Sequence, residues 1–123
     1  MFFPVSEWLT AFVLTLLVEV PVVVVLLRRW SGEGVPRLLA LAVLANLATH
    51  PSVWFVFTQL LLVGTPAYTL VVEAWAFGVE ALFYAVVVAG LGWRRALVVS
   101  LVANLASWVV GRLVLVPLIG LVT

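Results

Sequence analysis

Apolar residues fill four long stretches of this chain, separated by three short segments carrying Gly, Pro, Ser or Arg. A membrane-spanning helix needs about 20 mostly apolar residues. The pattern predicts a first span from about Val5 to Leu27, closed by Arg28 and Arg29, then a link Trp30–Pro36 with the turn signal Ser31-Gly32-Glu33-Gly34. A second span runs from about Arg37 to Val63, and Gly64-Thr65-Pro66 forms a tight link. The third runs from about Ala67 to Leu91, before Gly92-Trp93-Arg94-Arg95, and the fourth from about Ala96 to Val116, ended by Pro117 and Gly120. The expected fold is all-α: a polytopic four-transmembrane-helix bundle, one integral membrane domain over residues 1–123.

The fourth span resembles the second. Arg37, Asn46 and Thr49 recur as Arg95, Asn104 and Ser107 around an Ala-Asn-Leu-Ala core, and the preceding spans carry Val18-Glu19 and Val79-Glu80. This implies a tandem duplication of a two-helix hairpin, repeat 1 at about 5–63 and repeat 2 at about 67–120. Such repeats run in the same direction, so their symmetry axis lies along the membrane normal.

Composition agrees. With 67% hydrophobic and 9% charged residues, the chain has too little polar surface for a soluble domain, and a lipid bilayer is the expected surrounding. The net charge of +1 argues against nucleic acid. The absence of cysteine excludes disulfides, thiolate metal sites and cysteine nucleophiles. The N-terminal run reads as a retained helix, because it lacks a basic start and a small-residue cleavage site. Five of the six arginines fall at the first and third links. By the positive-inside rule those links face the cytoplasm and both termini are non-cytoplasmic, in a multi-pass protein integral to a cell membrane. Trp8, Trp30 and Trp93 fall near the expected interfaces, where amphipathic rings are favoured.

Polar side chains inside the runs are the candidate chemistry, since such groups are costly in hydrocarbon. At 1.5 Å rise per residue, Glu19, Asn46 and Asn104 lie about 13–14 Å from the nearest arginine of the first or third link, and His50 and Glu80 about 20–21 Å. All five therefore cluster around the middle of the bilayer and form the expected cation or proton site. Thr49 and His50 share a helical face with Asn46, and Ser100, Asn104, Ser107 and Gly111 form a similar face. Thr49, Glu73, Tyr84, Ser107 and Arg112 are supporting residues. Glu73 and Arg112, on neighbouring spans, are expected to pair, with Glu73 alternatively an outer step towards Glu80. Pro21 and Pro51 free the carbonyls of Leu17 and Leu47, and backbone oxygens so released suit a cation.

Glu19 and Glu80, if close, would share one proton. With a divalent metal as cofactor, Glu19, His50 and Glu80 would be its ligands, a set suited to Mn, Fe or Zn, although no HExxH spacing occurs. No Gly-x-Ser-x-Gly elbow, phosphate loop or dinucleotide fingerprint is present, so no catalytic residue is assigned. Three functions fit: binding or conduction of a cation; a structural or assembly subunit, acting as a homo-oligomer or within a larger membrane complex through small-residue faces; and a metal-dependent intramembrane enzyme acting on a lipid-phase substrate. The first is favoured because only the first repeat acquires a histidine and two prolines, a divergence that scaffolding does not require.

Overall fold

The computed structural model describes residues 5–115, which form four long helices. Helix α1 is Val5–Trp30 and α2 is Val35–Leu60; α3 is Pro66–Val87, and α4 is Trp93–Val110 with a wider turn over Gly111–Leu115. Each is long and apolar enough to cross a membrane. The expected end of the fourth span at Pro117 and Gly120, and the last residues of repeat 2, lie outside the described residues.

The links determine how the helices meet. Pro36 and Pro66 sit in the first turns of α2 and α3, where the missing backbone donor has no partner to lose. Thr65 caps α3 by accepting a hydrogen bond from the Tyr68 amide at 3.2 Å. Helix α3 stops at Val87, four residues short of the expected end. Gly90 and Gly92 adopt φ of 74° and 83°, and this left-handed backbone turns the chain before the arginines. Such short links make sequence neighbours pack side by side: α1 contacts α2 and α4, and α3 contacts the same two. The four helices thus enclose a common centre.

Helices α2 and α4 share an internal pattern. Each has 18 α-helical residues (Val35–Ser52 and Trp93–Val110) followed by a five-residue π-helical turn (Val53–Phe57 and Gly111–Leu115). Corresponding points are separated by the same stretch of sequence that divides Asn46 from Asn104. The first wide turn begins just beyond Pro51, which cannot donate to the α-helical ladder. The second has no proline beside it. Helix α1 continues through Pro21.

The bundle differs from end to end. In the half nearer the arginine-bearing links, Val23 and Leu27 of α1, Leu38 and Ala42 of α2, Val88 after α3, and Val99 of α4 belong to one buried apolar cluster. Buried alanines at 42, 45, 96 and 103 let the helices approach closely there. Trp30 and Trp93 lie at this end under the Arg95 and Arg94 guanidinium groups, 5.7 and 5.3 Å from the ring centroids. Outward positions are as apolar as inward ones; Leu17, Leu70 and Val86 are exposed. Water would penalise that surface, whereas acyl chains do not.

Candidate midplane site

Beyond the apolar cluster the centre becomes polar and hollow. A cavity of about 180 Å³ takes its lining from all four helices. Helix α1 contributes Thr15 and Glu19; α2 contributes Asn46, Thr49, His50, Val53 and Trp54; α3 contributes Val72, Glu73, Ala76 and Glu80; α4 contributes Asn104, Ser107 and Trp108. On every helix the lining extends from the Glu19/Asn46/Glu80/Asn104 level away from the arginines. The packed half is therefore its floor.

Glu80 is 1% exposed and held on both oxygens. The Thr49 hydroxyl donates to Oε1 at 3.1 Å, and the Asn104 amide donates to Oε2. Asn104 is itself positioned by the Ser100 carbonyl, 2.9 Å away, and the Ser100 hydroxyl donates across to the Phe77 carbonyl at 2.7 Å. Glu19 is 2% exposed and differently provided for. The Ser107 hydroxyl donates to its Oε1, while Oε2 has no hydrogen-bond partner among the described residues. Asn46 lines the same cavity and donates to the Ala42 carbonyl of its own helix at 3.0 Å.

These bonds cross the bundle reciprocally. Thr49 of α2 serves the glutamate of α3, and Ser107 of α4 serves the glutamate of α1. Thr49 and Ser107 occupy matching places in the two similar segments, as do Asn46 and Asn104.

His50 sits towards the outer part of the cavity. Its Nε2 lies 3.3 Å from the Thr15 hydroxyl, and its Nδ1 has no partner among the described residues. Phe12 and Trp54 flank the ring, at centroid distances of 5.3 and 6.5 Å. The expected Glu19/His50/Glu80 metal set is not gathered as one: among the described residues no three acidic or imidazole groups form a metal-binding cluster. The cavity lining includes neither Leu17 nor Leu47, so the carbonyls expected from the proline positions are not among its walls.

The other supporting residues divide. Thr49, Glu73 and Ser107 line the cavity, whereas Tyr84 is buried in the apolar cluster, its hydroxyl unpartnered among the described residues. Arg112 lies outside the lining and makes no ion pair with Glu73; its guanidinium stands 5.1 Å from the Trp108 ring centroid, one turn back on the same helix. The guanidinium therefore stacks on a local i, i+4 partner, while its charge still acts across the helices on the Glu73 carboxylate without a close ion pair. Sequence reasoning missed Thr15, Trp54 and the role of Trp108. Thr15 precedes Glu19 by one turn and Trp54 follows His50 by one turn, so helical spacing from the two expected residues marks both.

No protein family, curated protein or solved structure matches this chain.

Proposed function

We propose that this chain is a small integral membrane protein whose midplane site binds or passes a cation, with a proton the simplest occupant. One observation carries the reading: Glu19 and Glu80, from separate helices and almost fully buried, line one cavity that contains no arginine. Hydroxyl and amide donors soften a carboxylate's desolvation but bring no net positive charge. Two ionised carboxylates in such surroundings are strongly unfavourable, so the pair holds a shared proton or accepts a cation from outside.

The reciprocal bonds from Thr49 and Ser107, and the matching wide turns of α2 and α4, support a tandem two-helix duplication with its pseudo-two-fold axis along the membrane normal. The axis would pass between the two glutamates. The arginine distribution assigns the packed half to the cytoplasmic side, so the cavity faces the opposite compartment, as do the termini. His50 then lies on the route between that compartment and the carboxylates.

Reconstitution in liposomes tests this. Glu19→Gln and Glu80→Gln keep shape and hydrogen-bonding capacity but cannot ionise. Loss of pH-driven or cation-driven flux in these variants, with assembly unchanged, is the expected result. Full flux in both variants would refute the site.

A second reading has its own support. Thr49, Ser100, Asn104 and Ser107 tie the four helices together, which suits a structural or assembly subunit. Under that reading the two Gln variants keep every measurable property of the wild type.

A further inference from the structure

We infer that the cavity is shaped for a small organic ammonium ion, with Glu19 as its counter-charge and Trp54 and Trp108 as aromatic walls. The inference rests on the cation-site reading above and names the class of cation.

The two glutamates are not equivalent. Glu80 accepts from Thr49 and Asn104, so each of its oxygens already has a donor. Glu19 accepts from Ser107 on Oε1 and has the Asn46 side chain close by, but its second oxygen is buried without a hydrogen-bond partner among the described residues, in a residue that lines the cavity. A buried carboxylate oxygen left unsatisfied is costly. An ammonium N–H, or the positive edge of a methylated ammonium, would satisfy it.

The remaining walls discriminate between kinds of cation. A bare metal ion needs several converging oxygen or nitrogen ligands, and no such cluster of three acidic or imidazole groups occurs among the described residues. The cavity volume of about 180 Å³ is far more than the roughly 10–15 Å³ that one water requires. Val53, Val72 and Ala76 give it apolar sides, and Trp54 and Trp108 give it indole rings. Tryptophan faces attract organic cations, most strongly when both partners are desolvated. Trp108 already carries one cation in this way, the Arg112 guanidinium. Apolar walls, indole rings, the unpartnered Glu19 oxygen and the further negative group of Glu73 on the same lining together match a positive nitrogen bearing short alkyl groups.

The test uses the full chain, purified in lipid nanodiscs. Choline and tetramethylammonium are titrated calorimetrically against 3,3-dimethylbutan-1-ol, the neutral carbon isostere of choline. Proton uptake or release is followed in the same preparations. The expected result is binding of both ammonium probes and none of the neutral alcohol. Glu19→Gln weakens ammonium binding at least tenfold. Trp54→Leu and Trp108→Leu each weaken it roughly 2- to 30-fold. Phe at either position restores part of the loss, which separates ring chemistry from folding, and unchanged helical circular dichroism checks the fold independently. If neither ammonium probe binds, while protons or Mn²⁺ bind in a Glu19-dependent way, the ammonium assignment is overturned and the cation site stands. If Glu19→Gln alters neither ammonium binding nor proton exchange, both readings fall together.

Discussion

Removing the two hydroxyls that cross the bundle should reveal which glutamate each one serves. Thr49→Val is nearly isosteric, so its main effect is loss of the donor 3.1 Å from Glu80 Oε1. A hydrogen bond to a charged group contributes about 1.5–3 kcal/mol in soluble proteins, but helix-to-helix bonds within membranes average about 0.6 kcal/mol with a maximum near 1.7. The Thr49 hydroxyl also lies 3.3 Å from the Ala45 carbonyl and 3.4 Å from the Asn46 carbonyl, so its one proton is contested. Glu80 moreover keeps Asn104 when Thr49 is lost. A coupling of about 0.5 kcal/mol between Thr49 and Glu80 is therefore expected, at the lower end of the membrane range. Ser107→Ala removes the donor on Glu19 Oε1, the stronger of the two polar side chains that act on this carboxylate, and its coupling to Glu19 should approach about 1.5 kcal/mol, near the upper end. Equilibrium unfolding in mixed micelles, with Glu→Leu as the partner mutation in each double-mutant cycle, measures both. The parallel pairs Thr49–Glu19 and Ser107–Glu80 should couple more weakly than the crossed ones. Equal coupling in all four cycles, or stronger coupling within repeats than between them, would refute the reciprocal arrangement.

Three further outcomes follow from the same geometry. The chain has no cysteine, so single Cys substitutions report without background: Thr15→Cys or Ala76→Cys should react with a membrane-impermeant thiol reagent added at the face opposite the arginine links, whereas Val99→Cys should stay unreactive from either side. Ala45→Leu or Ala103→Leu overfills positions of 0% exposure in the packed half and should destabilise the bundle by about 1–3 kcal/mol, read by the same unfolding assay. Arg112→Gln removes a positive charge stacked at the outer end of Trp108 and should tighten ammonium binding by a few-fold; unchanged or weaker binding in the calorimeter would count against Trp108 as a cation wall.

The four helices were legible because long apolar runs have few other solutions. Glu19, Glu80, Asn46, Asn104, Thr49, Ser107 and His50 were legible for a related reason: polar groups at matching depth on four helices have only the bundle interior in which to meet. Details governed by local competition were not. The third helix ends early because two glycines take left-handed backbone, which an apolar run does not announce. Depth places Glu73 and Arg112 near one another, and their charges do interact, but depth does not reveal that the guanidinium stacks on Trp108, one turn away on its own helix. The prolines raised an expectation of kinks feeding oxygens into the site. Pro21 is absorbed within a continuous helix, and the change at Pro51 is a wider turn that adds Val53 and Trp54 to the cavity wall rather than a carbonyl.

The asymmetry between the halves bears most directly on how such a site could work. A duplicated pair of hairpins around one axis would, left identical, present two equal glutamates. Here Glu80 has a donor on each oxygen, whereas Glu19 Oε2 has none among the described residues. Both asparagines donate to the carbonyl four residues before them; Asn104 also donates to Glu80 Oε2, whereas Asn46 lies beside Glu19 and leaves its Oε2 without a partner. The second hairpin therefore holds its carboxylate on both oxygens, and the first leaves one oxygen of Glu19 without a donor in the cavity that Thr15 and His50 also line. His50 stands at the place in α2 that Trp108 takes in the similar segment of α4, so the cavity is lined by both an imidazole and a cation-attracting indole. A scaffold gains nothing from leaving a buried carboxylate oxygen unsatisfied at a cost of about 1–3 kcal/mol. A binding site does, because that cost is relieved only when a ligand arrives.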